Sequence, residues 1–85
     1  MNLVLSSTFK ENFRYWEKND KRIAEKISRL VEDIVRNPFC GIGKPEPLQY
    51  EFSGCWSRRI NKYHRIVYRV TDDEIELLFC RLHYE

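Results

Sequence analysis

Apolar residues recur at Ile23, Ile27, Leu30, Val31 and Ile34. That is the i, i+4, i+7, i+8, i+11 spacing of one helix face, with charged residues filling the gaps. Phe9, Phe13 and Trp16 repeat in the same way further upstream and predict a first helix. Ser6, Ser7 and Thr8 all suit its N-terminus, and Thr8 with Glu11 matches a capping box. Asp20 is placed to cap the second helix. Asn37-Pro38 ends it, because the residue before a proline is pushed out of the helical region.

The remaining segments alternate with strand periodicity. Leu3-Val4-Leu5 predicts an opening strand over Asn2–Leu5. A loop rich in glycine and proline runs from Phe39 to Pro47. Strands are then expected at Leu48–Phe52, Cys55–Ile60 and Arg65–Val70, with turns at Asn61–His64 and Thr71–Asp73. A long final strand is expected over Ile75–Tyr84. Its middle, Leu77–Cys80, is apolar on both parities and so belongs inside the sheet, covered on both sides. The pattern β-α-α-β-β-β-β predicts an α+β fold, with two N-terminal helices on one face of a mainly antiparallel twisted sheet. One domain spanning residues 1–85 accommodates all of it.

Composition changes this picture little. With 42% hydrophobic and 33% charged residues and a net charge of +2, the chain suits a compact globule, not a disordered segment. No apolar run reaches the ~20 residues of a membrane span, and no signal peptide is legible, which leaves the cytoplasm as the expected compartment. Cys40, Cys55 and Cys80 are odd in number and widely spaced. They resemble no zinc ligand set and are expected as free, buried or half-buried thiols.

Charge becomes informative once it is split along the chain. Residues 1–51 hold 9 Lys/Arg against 8 Asp/Glu, whereas residues 52–71 hold five Lys/Arg and no acid. A polyanion-binding strand and a solvated strand face both account for such a stretch. Within it, Arg58 and Arg59 are expected on opposite faces, and either can bind a phosphate bidentately. Arg65 should lie near the distal end of the last strand, where Arg81 and His83 share one face. Glu46 stands between Pro45 and Pro47, which restrict the backbone around its carboxylate. Glutamate, arginine and histidine together suffice for RNA cleavage without a metal. A base takes the ribose 2′-OH proton, an acid protonates the leaving 5′-oxygen, and cations hold the phosphorane. Histidine, with a reference pKa of about 6.5, suits the acid role near neutrality. Other chemistries find no support. Gly41-Ile42-Gly43-Lys44 is followed by Pro45 where a phosphate loop needs Ser or Thr. Asp72 and Asp73 are adjacent turn residues that cannot converge on one ion, and no nucleophile elbow is present. His64 reads as a turn residue.

Several strings then carry a resemblance: Gly43-Lys44-Pro45-Glu46-Pro47-Leu48, Ser53-Gly54-Cys55-Trp56-Ser57-Arg58-Arg59-Ile60, His64-Arg65-Ile66-Val67-Tyr68 and Cys80-Arg81-Leu82-His83-Tyr84. Together with Tyr15-Trp16 and Asp20-Lys21-Arg22-Ile23, they resemble the YoeB/Txe family of RelE-like toxins over the whole chain. The resemblance implies a toxin of a type II toxin–antitoxin system, a ribosome-dependent endoribonuclease that cuts mRNA in the A site without a cofactor. It implies Glu46 as general base, His83 as general acid, Arg65 as stabiliser of the phosphorane, and Tyr84 shaping the site or stacking on a base. Lys44, Arg58 and Arg59 become expected phosphate contacts. The implied partners are mRNA and the ribosome, a YefM/Phd-type antitoxin, operator DNA through the toxin–antitoxin complex, and a second copy in a homodimer. Tyr63, Gln49, Cys40 and Cys55 depart from the usual residues of the family. Glu85 adds a charge next to Tyr84 that favours the imidazolium form of His83. The competing readings are a non-catalytic ribosome-blocking binder, a gyrase-directed toxin on the same scaffold, and a plain nucleic-acid-binding module.

Overall fold

The computed structural model describes residues 1–81. Strand β1 (Asn2–Leu5) leads into helices α1 (Ser7–Asn19) and α2 (Lys21–Arg36). Then follow a two-residue strand β2 (Glu46–Pro47), a 3₁₀ turn (Tyr50–Phe52), β3 (Cys55–Arg59), β4 (Arg65–Val70) and β5 (Glu74–Phe79). The five strands form one sheet in the order β1-β5-β4-β3-β2. Every neighbouring pair is antiparallel except β1 with β5, which run parallel. The sheet is therefore mixed, and the mainly antiparallel expectation holds with one parallel pair at its edge.

Both helices cover one face of the sheet. The stripe read from the sequence supplies much of the core: Ile27, Leu30 and Ile34 of α2 are buried, while Ile23 and Val31 pack at its margin. Phe9 and Trp16 do the same for α1, against Ile66, Tyr68, Ile75 and Leu77 of the sheet. Asp20 caps α2, its carboxylate accepting from Arg22 N at 3.2 Å and Ile23 N at 3.4 Å. Asn37 ends it, as the following proline requires.

Four expectations need correction. Of the three N-cap candidates for α1, Ser6 is the cap, its Oγ accepting from Phe9 N at 3.0 Å, and the capping box expected at Thr8 is displaced. The extended backbone of Ser6 fits a cap, whereas Ser7 and Thr8 already lie within the helix. No strand spans Leu48–Phe52. Pairing starts earlier, with Glu46 opposite Ser57, and Tyr50 at φ 58° turns the chain into the 3₁₀ segment. Pro47 of β2 is tolerated because β2 is an edge strand. β5 stops at Phe79 because α1 captures the next peptide: Asn12 Oδ1 accepts from Cys80 N, and Trp16 Nε1 donates to Cys80 O. The expected strand residues 82–84 lie outside the described residues. Finally, Cys40 is exposed, while Cys55 and Cys80 are buried as expected.

Candidate active site

The sheet face turned away from the helices gathers the charged residues. Along β3 the alternation sends Cys55, Ser57 and Arg59 to this face, and register brings Arg65, Val67 and Arg69 of β4 beside them. Glu46 joins from β2, opposite Ser57. The Arg65 side chain reaches back across β3, and its terminal nitrogen lies 3.1 Å from Glu46 Oε1 and 3.4 Å from Ser57 Oγ. The result is a carboxylate–guanidinium pair held over a buried serine, with Glu46 54% exposed and Arg65 28% exposed.

Arg59 and Arg65 are direct cross-strand partners. Like charges in that position repel and are destabilising. Arg59 is exposed, and so is Lys44, which leaves the preceding loop in a left-handed conformation at φ 52°. Arg65 pairs with the Glu46 carboxylate, and Arg59 and Lys44 bring two more exposed cations to the strands that flank it. Such a cluster suits a phosphate, whose oxygens can bridge several cations.

Arg58 is corrected from an expected phosphate contact to an internal residue. As the alternation predicts, it points opposite to Arg59, and that direction leads under the helices, where its side chain is fully buried. Its guanidinium pairs with Asp33 at 2.7 Å and hydrogen-bonds Tyr68 Oη at 3.0 Å. A phosphate in solvent cannot reach it. The Arg58 hydrogen bond, first, and the Ile42 N–H together hold the Asp33 carboxyl below its ordinary range. Burial pushes the Tyr68 phenol upward, so it stays protonated and donates to Pro38 O at 2.6 Å.

A sequence model of the YoeB-like toxins of bacterial type II toxin–antitoxin systems matches residues 5–84. The chain belongs to the YoeB-like toxin family. It is 50% identical to Toxin YoeB of Escherichia coli K12 over 84 residues, which cover 99% of this chain and all of that one. A YoeB/ParE toxin from Agrobacterium tumefaciens superposes with a TM-score of 0.93 at 43% identity, covering 99% of this chain and 100% of the other. The Staphylococcus aureus YoeB in a heterotetrameric YoeB–YefM complex gives a TM-score of 0.87 at 42% identity, over 99% and 98% of the two chains. The same organism's YoeB dimer gives 0.88 at 42%, over the same shares.

In this YoeB-like toxin, then, Glu46, Arg65, Arg59 and Lys44 share one region and Arg58 does not. His83 and Tyr84 lie outside the described residues. His64 sits in the β3–β4 turn, as read from the sequence, with its ring edge-on to Trp16 at 4.8 Å between centroids. Sequence reasoning overlooked Ser57, which props the Arg65 guanidinium. Its signal was available: it shares strand parity with Arg59 and stands between the segments that carry Glu46 and Arg65. Among the described residues, no group of three His, Cys, Asp or Glu is placed to hold a metal ion, and no helix is long and apolar enough to cross a membrane.

Proposed function

We propose that this toxin is a ribosome-dependent endoribonuclease that cuts mRNA in the A site without a metal, using Glu46 as base, His83 as acid and Arg65 as stabiliser of the phosphorane. The observation that carries the reading is the Glu46–Arg65 pair at 3.1 Å on the cationic sheet face. Glu46 takes the proton of a ribose 2′-OH, and the oxygen attacks the adjacent phosphorus. The P–O5′ bond breaks, and His83 protonates the departing oxygen, leaving a 2′,3′-cyclic phosphate and a 5′-hydroxyl. Charge that builds on the phosphoryl oxygens meets the Arg65 guanidinium, with Arg59 and Lys44 contacting flanking phosphates. Tyr84 stacks on a base or shapes the site. The roles of His83 and Tyr84 follow from their match to the family's terminal motif.

A YefM/Phd-type antitoxin neutralises the toxin in the cytoplasm, and their complex binds operator DNA. The YefM complex and the dimer of the Staphylococcus aureus relative support an antitoxin partner and a homodimer here.

Primer extension on a defined message in a purified translation system tests the reading, with wild-type protein and Glu46→Ala side by side. Discrete breaks within A-site codons are expected, and they should vanish in the variant. Arrested translation with intact message would instead make the protein a binder and withdraw the catalytic roles.

A further inference from the structure

Arg58 lies between two residues of the cationic face, Ser57 and Arg59, yet its own side chain is fully buried on the opposite face. A buried guanidinium is costly to desolvate, and apolar side chains of similar volume often stabilise a core as well or better. Its bonding pattern offers another reason for its presence. Nε donates to Tyr68 Oη at 3.0 Å, and Nη1 donates to Asp33 Oδ2 at 2.7 Å and to Ile42 O at 2.9 Å. Nη2 donates to Asn37 O at 2.7 Å and to Cys40 O at 3.2 Å. All five N–H groups of the fork are thereby engaged.

Three of those acceptors are main-chain carbonyls of a single irregular segment, residues 37–43. The two side-chain partners hold the same segment. Tyr68 Oη donates to Pro38 O, and Asp33 Oδ2 accepts from Ile42 N at 3.0 Å. Gly41 lies so close that a Cβ there would come within 2.0 Å of Asp33 Oδ2. The segment then delivers Gly43, whose carbonyl accepts from Arg59 N at 2.6 Å, and after it Lys44 and Glu46. The site occupies one face of the sheet, and the support for its loop is anchored on the other.

We infer that Arg58 is a positioning residue: with Asp33 and Tyr68 it fixes the 37–43 segment from beneath the sheet and so sets where Glu46 meets Arg65. The catalytic consequence rests on the ribonuclease reading. Removing Arg58 itself strips Asp33 and three carbonyls of their donor and can unfold the chain, so Tyr68→Phe and Asp33→Asn are the working variants.

Single-turnover cleavage of ribosome-bound mRNA by purified Tyr68→Phe is expected to fall on the order of 10–100-fold, the worth of displacing a reacting group by about 1 Å. Ribosome binding and the far-UV circular dichroism spectrum should be kept. Amide ¹H–¹⁵N resonances of residues 41–46 should shift or broaden, while those of β1 and β5 hold. In a Glu46→Gln background the same substitution should cost no more than about twofold, because its effect passes through Glu46. Asp33→Asn should behave in the same way. Wild-type cleavage by both variants overturns the inference, as does a loss of equal size with and without Glu46, which would mark a plain stability effect. Uncut message with the wild-type chain would overturn the ribonuclease reading and the catalytic consequence together. The amide spectra read loop position independently and so tell the two failures apart.

Discussion

Replacing Asn12 with leucine tests how α1 ends the sheet. Asn12 Oδ1 accepts from two successive backbone N–H groups, Cys80 N at 3.0 Å and Arg81 N at 3.2 Å. Both partners are donors, so the amide oxygen must face them. Leucine fills a similar volume and offers no acceptor. Arg81 is exposed and its N–H regains water, but Cys80 is fully buried and its N–H stays unpaired. One unsatisfied buried donor costs about 1–3 kcal/mol. The Trp16 Nε1 bond to Cys80 O at 3.0 Å survives and limits local relaxation, which places the expected loss near about 2 kcal/mol. For a chain of this size that corresponds to a Tm lower by roughly 8–16 °C. Urea titration and thermal melts followed by circular dichroism measure it. Asn12→Asp is the control: it keeps an acceptor and should stay within about 0.5 kcal/mol of wild type. If Asn12→Leu melts with the wild type, the captured peptide contributes nothing and the account of why β5 stops at Phe79 is wrong.

Gly41→Ala should destabilise far more than Gly54→Ala. Both glycines have positive φ, at 134° and 92°, but a Cβ at Gly41 collides with Asp33, whereas one at Gly54 meets nothing within 4 Å. Gly54→Ala should cost only the backbone strain, about 1 kcal/mol, and equal denaturant midpoints would refute the distinction. Titration of the native protein with a disulfide reagent near pH 8 should modify the exposed Cys40 quickly and leave Cys80 untouched until unfolding, since burial pushes that thiol up to about 12. Rapid labelling of two or three thiols would contradict the packing described. For acid stability, the Asp33 carboxyl is held below its ordinary value of 3.8 by Arg58 and Ile42. A lowered folded pKa stabilises the fold above the unfolded value, and that contribution is lost as pH falls through the folded one. Wild type should therefore lose stability below about pH 4 more steeply than Asp33→Asn, as urea midpoints across pH 2–6 would record.

What was legible in the sequence was whatever a period could encode. The α2 stripe, the Asp20 cap, the Asn37-Pro38 stop and the strand Arg65–Val70 all follow from local spacing, and all stand in the structure. The misreadings fell where local rules offered equal choices or where distance decided. Three hydroxyl residues in a row can each cap a helix, and only tertiary contact favours Ser6, whose Oγ also donates to Leu78 O at 2.7 Å. Leu48–Phe52 has strand composition, but nothing in it announces the left-handed Tyr50. Arg58 reads as a surface cation in an acid-free run because its counter-ion, Asp33, lies 25 residues upstream on a helix. The Glu46–Arg65 pair spans 19 residues, and the resemblance to a family proposed those positions where residue pattern alone offered only candidates.

The parallel pairing of β1 with β5 also sets a timetable for the nascent chain. β1 is the earliest strand made and β5 the latest described, and Leu5 pairs with Leu77 across a sequence separation of 72. At about 5–20 residues per second of synthesis, that separation takes roughly 4–14 s. Until then the apolar faces of β1, α1 and α2 have no complete sheet to cover. The β3–β4 meander can pair early, but β1 can join it only through β5. The protein therefore passes through its own translation with its helical stripe open, and closes only once β5 has been made.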